Sequence, residues 1–491
     1  MLQKTVWPKS KVIILIFVIL IILFGLEIGI REIGRYLIPR SFKYEAAREL
    51  KVNRNLQMEI FFNDPLNKPI FTDLVIKAID AAKRRVDIAI YSIDSEKIRD
   101  RLYAAVEKGI SVSIVLDIKN REKNARFFEN KPKNLQLVEV PLTEDKNQEY
   151  SSMHDKFIIV DGDQPAGRLL MGSWNWTKLQ EYFDPSFVIE TTEPEIVKEY
   201  YREFLRLQSG KSGPKKFSDR DYNPFAAKIQ FIDSFAEIWW SPGLRENSIQ
   251  RRILDLIASA TETIRVMGWQ ITDREIADKL VEKARAGVKV TILTDDYNFL
   301  RDYSVFPFLL DELSTTPRLP LEIVDDSART HDFLHQISAE QHINFNSFLH
   351  HHTLIVDNRT VLFGTNNWSQ QAAFNNDESV IITNNEKIVG EFLQSFESNY
   401  RQLRQEPLAL SINNGVIEFK DPERYAGQRL VVSNLTKLNP SSVICQSVKN
   451  LPLAGNITLD EKCDSPYLDF YILDNDGTVL SNILIRRAGT K

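Results

Sequence analysis

Two short stretches of the sequence combine histidine, cationic and carboxylate side chains at spacings that suit chemistry on an anion. The residues are His154, Lys156 and Asp161 in the first stretch and His350, His352 and Asp357 in the second. The mostly apolar residues 157–160 and 353–356 predict strands. In a strand alternate side chains share a face, so His154 lies on the same face as Lys156, and His350 on the same face as His352. A histidine beside a cation can act as a nucleophile or as a general acid toward phosphorus.

A second shared pattern follows each stretch and predicts anion-binding groups. It reads Gly172-Ser173-Trp174-Asn175 in the first half and Gly364-Thr365-Asn366-Asn367 in the second. Glycine permits close approach of the backbone, and hydroxyl and amide side chains offer uncharged donors to an anion. We therefore predict a substrate-binding set made of Ser173, Asn175, Thr365, Asn367 and His352.

Brought together at one site, the two clusters would flank a single anionic centre with two histidines. That arrangement suits double displacement at a phosphodiester, in which one imidazole attacks phosphorus and the other protonates the leaving oxygen. Lysine and amide donors would stabilise the charge that develops on the remaining phosphoryl oxygens. This chemistry requires no metal ion and no cofactor, and we expect neither.

The elements that must position these residues form an internal repeat. Residues 59–117 align without a gap with residues 237–295, and Tyr91 meets Trp269 in this alignment. Apolar positions three and four apart predict helices in each copy, and short β-branched runs predict strands. We therefore expect an α/β fold made of two βαβαβ units, each with helices on both faces of its sheet.

The duplicated motifs resemble those of the phospholipase D superfamily, whose hallmark is an HxKxxxxD pattern followed by GSxN in each of two halves. The resemblance covers roughly residues 45–405. It implies two phospholipase D-like α-β-α sandwich domains packed face to face. It also implies phosphodiesterase activity through a covalent phosphohistidine.

The resemblance assigns roles to individual residues of this sequence. It implies that His154 and His350 are the nucleophile and the general acid, and we assign the attack to His154 because Lys156 lies beside it. Asn175 and Asn367 would be phosphate ligands with Lys156. The remaining catalytic-site residues that the resemblance implies are Asp161 and Asp357, as supporting residues, and Glu378, as the acid that orients His350.

Two positions depart from the family pattern. His352 occupies the lysine position of the second motif, and Ser186 occupies the downstream acid position of the first half, with Asp184 the nearest substitute. Imidazole titrates near pH 6.5, so His352 could replace the cation only when protonated. We therefore expect activity that falls above neutrality. A catalytically impaired, phosphate-binding scaffold is the alternative.

Composition shifts divide the 491 residues into five segments. The segments are 1–44 (membrane anchor, helix about 11–30, and juxtamembrane segment), 45–207 (first domain), 208–226 (linker), 227–405 (second domain) and 406–491 (C-terminal all-β module). Cys445 and Cys463 both lie in the last segment, where they form either one disulfide or two buried thiols.

The apolar run at residues 12–26 predicts a retained single-pass anchor, with a cleaved signal peptide as the competing interpretation. Sugar on the sequons Asn175-Trp176-Thr177 and Asn367-Trp368-Ser369 would block the site, which favours a bacterial cell membrane. Charges flank the run on both sides, so the side on which the catalytic body lies stays open.

Charge and loop composition leave the substrate class open. The net charge of -5 excludes a chain-wide basic surface. An insertion containing the apolar residues 297–310 could contact a lipid interface or pack as an ordinary core helix, whereas the basic loop 118–133 could hold a lipid head group or a nucleic-acid backbone. A metal site built on His331, His335 and His342 together with the triplet His350-His351-His352 is a weaker interpretation.

We therefore expect a membrane-anchored phosphodiesterase that cleaves or transfers phosphatidyl groups. Its partners would be a phospholipid membrane and a phosphodiester substrate, and protein partners cannot be assigned from the sequence. An endonuclease that uses the same site on nucleic acid is the alternative.

Overall fold

The computed structural model describes most of the chain from Ala47 to Arg486. The residues outside the description are 1–46, 64–69, 142–150, 296–300, 302, 317, 326–348, 404–409, 414–415, 420–426, 436–442, 450, 452–455, 464–466, 474–478 and 487–491. The predicted anchor and the proposed metal-binding residues His331, His335 and His342 lie outside it. Within the described ranges, no helix has the length and apolar character needed to cross a bilayer.

Two mixed sheets repeat one strand order, as the internal repeat predicts. The first has the order β2-β8-β7-β6-β3-β4-β5. Its strands are β2 (Met58–Phe62), β3 (Arg85–Ile90), β4 (Ser111–Asp117), β5 (Gln136–Val140), β6 (Lys156–Val160), β7 (Arg168–Gly172) and β8 (Phe187–Thr191). In this sheet β3, β4 and β5 run parallel, and the other pairs are antiparallel.

The second sheet has the equivalent order with two strands added at one edge, β1-β9-β10-β16-β15-β14-β11-β12-β13. Its strands are β1 (Arg48–Lys51), β9 (Phe225–Gln230), β10 (Phe235–Ser241), β11 (Thr263–Gly268), β12 (Lys289–Thr294), β13 (Leu321–Asp325), β14 (His352–Val356), β15 (Thr360–Gly364) and β16 (Glu378–Thr383). The first strand of the described residues, β1, pairs in parallel with β9, so the start of the described chain joins the sheet of the second half.

Helices cover both sheets, and two long helices contribute to the core between them. The helices are α1 (Phe71–Ala81), α2 (Glu96–Glu107), α3 (Arg121–Phe127), α4 (Lys178–Phe183), α5 (Pro194–Gln208), α6 (Ile249–Ser259), α7 (Arg274–Arg285), α8 (Phe306–Thr315), α9 (Gln370–Phe374) and α10 (Glu386–Leu403). Short 3₁₀ helices cover Ile118–Asn120 and Gly213–Ser218.

One apolar core includes residues from both halves, because α5 and α10 each carry a wide apolar face. On α5, Tyr200 contacts Trp240 of the second half at 4.8 Å between ring centroids. On α10, Phe392 packs between Phe187 of the first half, at 5.3 Å, and Phe363 of the second, at 4.8 Å. Each such buried side chain contributes roughly 1.5–3 kcal/mol. This shared core holds the two halves face to face.

The linker predicted at residues 208–226 is not a solvated tether. Its residues Gly213–Ser218 form a 3₁₀ helix, and Lys216 within it is fully buried. The Lys216 ammonium forms ion pairs with Glu203 of the first half at 2.5 Å and with Asp377 of the second at 2.7 Å. Lysine is rarely buried, and this one is buried because both halves supply it with carboxylates.

The insertion after β12 contributes to the core rather than to a lipid-facing surface where it is described. Phe306 and Leu309 of α8 are both fully buried in the core of the second half. Tyr303, just before α8, is 50% exposed. Of the two alternatives for the apolar residues 306–310, the ordinary packed helix is therefore the one found.

The C-terminal module has the all-β character expected from its sequence. A three-stranded sheet contains β17 (Leu410–Asn413), β18 (Val416–Phe419) and β21 (Asn456–Thr458). A four-stranded sheet contains β19 (Arg429–Leu435), β20 (Val443–Val448), β22 (Tyr467–Leu473) and β23 (Val479–Arg486). A disulfide joins Cys445 to Cys463, which resolves the alternative left open by the sequence.

Candidate active site

The two histidine motifs meet at one buried site. His154 lies two residues before β6, and His350 lies two residues before β14, so equivalent strands of the two halves present them. The ring of His352 lies 6.3 Å from that of His154 and 5.1 Å from that of His350. All three side chains are at least nine-tenths buried. The structure thus brings together the residues that the sequence placed in separate halves.

The carboxylate of Glu378 contacts His154 across the two halves, not His350 as the sequence predicted. His154 Nδ1 lies 2.9 Å from Glu378 Oε2 and 3.1 Å from the carbonyl oxygen of Thr365. The reason is the pairing between halves. His154 N donates to Asp377 O at 2.9 Å, and Asp377 N donates to Ser152 O at 2.8 Å. These bonds place the start of β16 against the loop that carries His154.

This contact fixes the tautomer of His154. Both partners of Nδ1 are acceptors, so Nδ1 carries the proton and Nε2 presents its lone pair. Glu378 is itself held by Asn376 Nδ2, which donates at 2.9 Å, and by Thr365 Oγ1, which donates at 2.7 Å. Burial lowers the pKa of His154, and Glu378 opposes that shift. A neutral, oriented imidazole is the form that a nucleophile requires.

Lys156 supplies a buried cation beside this imidazole. Its ammonium donates to the carbonyl oxygen of His154 at 2.7 Å and lies 5.5 Å from the centroid of the Tyr91 ring. Burial lowers the pKa of Lys156 to about 8, although Glu378 and Asp155 favour the charged form. Lys156 is therefore mainly charged at neutral pH and loses its charge in mildly alkaline solution.

His352 does not replace the missing lysine as a cation in this structure. Burial lowers its pKa well below the usual value, and the nearby His350, His154 and Lys156 lower it further. The sequence predicts that His352 can replace the cation only when protonated, and the environment of the free protein disfavours that form. The cause is that a second cation would be desolvated beside the first one. A neutral His352 can still donate one hydrogen bond to a phosphoryl oxygen.

Asp161 and Asp357 support the fold and lie away from the chemistry. Asp161 follows β6 at the end opposite His154, on the order of 20 Å along the strand. Its carboxylate accepts from the backbone N–H groups of Lys83, Arg84 and Arg85, each at 2.9 Å. Asp357 does the same for the turn before β11, with three backbone donors at 2.8 Å. Both were predicted as supporting residues of the catalytic set, and in the structure each carboxylate holds a backbone turn.

The hydroxyl and amide residues of the second pattern divide into two groups. The hydroxyls are already engaged, since Ser173 Oγ accepts from Phe187 N at 3.2 Å and Thr365 Oγ1 accepts from Ser379 N at 3.0 Å. By contrast, Asn175 Oδ1 and Asn367 Oδ1 are buried and have no hydrogen-bond partner among the described residues. The asparagines are therefore the better candidates for phosphate ligands, through their Nδ2 groups, because only these can donate to a phosphoryl oxygen.

The glycines of this pattern allow close approach of a strand rather than of an anion. A Cβ atom on Gly172 would lie 2.0 Å from the carbonyl oxygen of Phe187, and one on Gly364 would lie 2.0 Å from that of Ser379. Such separations are far inside van der Waals contact. Glycine at these positions therefore lets β8 and β16 pass next to the histidines.

Two aromatic residues of the site were present in the repeat but not predicted as site residues. Tyr91 follows β3, and its ring lies 4.9 Å from that of His154. Trp269 follows β11, and its ring lies 5.7 Å from that of His350. Two features of the sequence could have identified them as site residues: they align with each other in the repeat, and each follows the end of a predicted strand. They form two partly exposed walls, one beside each histidine.

Buried ionisable side chains behind His154 connect the two halves. Asp155 is fully buried, and burial raises its pKa to about 8, while Lys216 favours its charged form and Glu203 and Asp377 oppose it. Asp117, at the end of β4, accepts from Met153 N at 2.7 Å, and burial raises its pKa to about 7. These groups surround the loop that carries His154 and fix its backbone.

The charges of the basic loop 118–133 are largely engaged by neighbouring groups. Arg121 pairs with Glu139 at 2.7 Å, Lys123 with Asp94 at 3.6 Å and Arg126 with Glu122 at 3.7 Å. Within the described ranges, no cluster of three or more His, Cys, Asp or Glu side chains is placed to hold a metal ion.

Sequence comparison assigns the chain to a family with this architecture. Residues 75–208 and 253–400 match the family described as cardiolipin synthase, PLD-like domain. The two segments are the two halves that carry the histidine motifs. The chain therefore belongs to this family, within the phospholipase D superfamily that its motifs resemble.

Curated relatives carry the name mitochondrial cardiolipin hydrolase. The Chlamydomonas reinhardtii protein is 26% identical over 146 residues, which is 30% of this chain and 55% of the relative. The Xenopus laevis protein is 36% identical over 164 residues, which is 33% of this chain and 70% of the relative. The chain thus spans only about half the length of the Chlamydomonas protein.

Among solved structures, phosphatidylserine synthase of Haemophilus influenzae superimposes with a TM-score of 0.53. It is 13% identical, and the match covers 71% of this chain and 86% of that protein. At this identity the likeness shows the fold alone. It agrees with a mixed α/β fold of two duplicated domains.

Proposed function

We propose that this chain is a phospholipase D-type phosphodiesterase that cleaves or transfers phosphatidyl groups through a covalent phosphohistidine at His154. The observation that carries the proposal is the hydrogen bond between His154 Nδ1 and Glu378 Oε2, at 2.9 Å. It orients a buried neutral imidazole in a site that also holds Lys156, His350 and the amide side chains of Asn175 and Asn367.

In the first step, His154 Nε2 attacks phosphorus and the bond between phosphorus and the leaving oxygen breaks. Glu378 stabilises the positive charge that develops on the imidazole. Lys156 and the amide groups of Asn175 and Asn367 stabilise the phosphoryl oxygens, in a buried site where such interactions are strong. The leaving oxygen keeps the electron pair of the broken bond, and His350, in the same buried site, would supply its proton when the imidazole is protonated.

In the second step, water or an alcohol attacks phosphorus and the bond to His154 breaks. A neutral His350 takes the proton of the incoming oxygen and acts as a general base. The electron pair of the broken bond returns to His154 Nε2. Water gives hydrolysis and an alcohol gives transfer, so one site can perform both reactions.

Phospholipid is the favoured substrate class for two reasons. The family description and the names of the relatives both specify cardiolipin. The apolar run 12–26 would place the chain at a membrane, where such lipids are located. We include in the proposal a single-pass anchor at residues 11–30.

Nuclease activity is the principal competing outcome, since the same chemistry applies to nucleic-acid phosphodiesters. The full-length chain in detergent micelles is incubated with labelled phospholipid vesicles and, separately, with single-stranded DNA, in the presence of a chelator. We expect turnover of lipid and loss of that turnover in His154→Ala. Turnover of DNA alone contradicts the lipid assignment, and no turnover of either substrate favours a phosphate-binding scaffold.

A further inference from the structure

His154 has a carboxylate partner and His350 has none at the equivalent position, because Ser186 stands where the second half has Glu378. Thr365 N donates to Ser379 O at 2.9 Å, and Ser173 N donates to Phe187 O at 3.1 Å in the other half. These matching bonds align β16 with β8, so Ser186 stands where Glu378 stands in the second half. The site therefore has a carboxylate for His154 and a serine at the position that would serve His350.

Ser186 does not substitute for a carboxylate. Its side chain is fully buried, and its hydroxyl donates to the carbonyl oxygen of Asp184 at 3.0 Å. Asp184 itself stands at the position of Asn376, the residue that supports Glu378 rather than contacting a histidine. The nearest acid in the sequence is therefore in a supporting position, and the partner position is occupied by Ser186.

The surroundings of His350 oppose its protonation. The charges that act most on it come from Lys156, His154 and His351, and burial is the largest cause of a pKa far below the usual value. Protonated imidazole is the form that donates a proton to a leaving group, and it is the form that this environment disfavours. The neutral form remains a good general base.

We propose that Ser186 makes this enzyme selective for phosphatidyl donors whose leaving group is stable as an anion, such as a phosphate-linked nucleotide or an aryloxide, over donors that release an alkoxide. This inference rests on the proposed function and specifies its donor. The geometry behind it is the contact of Glu378 with His154 and the presence of Ser186 at the equivalent position of the first half, where its hydroxyl donates to Asp184 O.

The movement of electrons and protons in the first step explains the selectivity. The lone pair of His154 Nε2 forms the bond to phosphorus, and the electron pair of the broken bond stays on the leaving oxygen. A phosphate or aryloxide accepts that pair without a proton, whereas an alkoxide needs a proton that a neutral His350 cannot supply quickly. In the second step the attacking alcohol or water gives its proton to His350, which suits its unprotonated state.

The test uses the full-length chain in mixed micelles with diacylglycerol phosphodiesters that differ only in the leaving group. The leaving groups are p-nitrophenol, phenol and ethanol, and a nucleotide-linked diacylglycerol, cytidine diphosphate diacylglycerol, is the fourth probe. We expect kcat/KM for the p-nitrophenyl ester to exceed that for the ethyl ester by at least about 100-fold, since general acid catalysis worth at least that factor is absent. The nucleotide-linked donor should match the p-nitrophenyl ester within about tenfold.

Ser186→Asp supplies the missing carboxylate, and Ser186→Asn is the matched control of the same size without charge. We expect Ser186→Asp to raise turnover of the ethyl ester about tenfold and to change the p-nitrophenyl ester by less than about twofold. Ser186→Asn should leave the ratio of the two esters unchanged. A thermal melt of each variant checks that it folds, and if neither folds the wild-type series decides alone.

The outcomes separate this proposal from the one on which it rests. Similar rates for ethyl and p-nitrophenyl esters overturn the selectivity while leaving the phosphodiesterase assignment intact. An unchanged ester ratio in a folded Ser186→Asp variant also overturns the role of Ser186. Absence of turnover with all four probes overturns the proposed function and the selectivity together.

Discussion

At the scale of single residues, the site is asymmetric although the sequence repeat is nearly symmetric. His154 has Glu378 at 2.9 Å and Lys156 beside it, whereas His350 has Ser186 at the acid position and His352 at the lysine position. The two substitutions therefore weaken one side of the site. This distribution supports our proposal that His154 is the nucleophile and His350 the general base.

Replacing Glu378 with glutamine should lower the rate of phosphoenzyme formation by about 100-fold or more, because the amide cannot stabilise imidazolium or fix the tautomer. Rapid-quench measurement of the first turnover tests this. Glu237→Gln is a control, since Glu237 is a buried glutamate that pairs with Arg252 at 2.8 Å outside the site. A normal first turnover in Glu378→Gln would contradict the role given to the carboxylate.

The fall of kcat/KM at alkaline pH should reflect deprotonation of Lys156, not of His352. Because the pKa of Lys156 is lowered to about 8, its charge is lost as pH rises through that value, and kcat/KM should fall above about pH 8. His352 is already neutral there, so His352→Gln should keep the alkaline limb at the same pH. We would measure both profiles from pH 6 to 10 with one lipid substrate. Loss of the limb in His352→Gln would restore the interpretation of His352 as the working cation.

At the scale of elements, the strands that carry the motifs were predictable and their partners were not. The period of two placed His154 with Lys156 at β6, and the repeat predicted the shared strand order of the two sheets. The sequence offered no way to see that β16 would meet the loop of the opposite half. Glu378 was therefore assigned to the histidine nearest in sequence, and the pairing between halves decided otherwise.

Gly172→Ala should destabilise the protein by about 3 kcal/mol or more, because its Cβ would lie 2.0 Å from the carbonyl oxygen of Phe187 and β8 would have to move. Gly390→Ala on α10 is the matched control. A Cβ there meets nothing within 4 Å, so this change should stabilise by up to about 1 kcal/mol. Urea denaturation of the two variants measures both. Equal stability of Gly172→Ala and wild type would contradict the close strand approach.

At the scale of the whole molecule, the two halves are joined by a common core and by buried charges near the site. Composition predicted domain segments and a linker at 208–226, but the burial of Lys216 between Glu203 and Asp377 depends on both halves at once. The sequence pattern of one segment cannot reveal a contact that involves residues of two others. Likewise, Asp161 and Asp357 were predicted only as supporting residues, and what they support was not visible because their backbone partners lie far away in sequence.

Asp155 should make stability depend on pH. Its pKa is raised to about 8 in the folded state, so between about pH 4 and 8 the folded protein binds a proton that the unfolded chain releases. Stability should therefore fall with rising pH over this range, with a slope of up to about 1.4 kcal/mol per pH unit from this group. Asp155→Asn should remove that part of the slope and gain stability at pH 8, as measured by urea denaturation at several pH values. An identical pH slope in the variant would contradict the protonation of Asp155.

The most direct test of the account is to locate the covalent intermediate. The full-length chain is mixed with a p-nitrophenyl phosphatidyl ester, quenched without acid and digested for mass spectrometry, in wild type and in His350→Asn. The account predicts a phosphatidyl group on His154 in both proteins, with greater accumulation in His350→Asn because release of the intermediate needs the general base. A phosphatidyl group on His350, or turnover without any modified histidine, would contradict it.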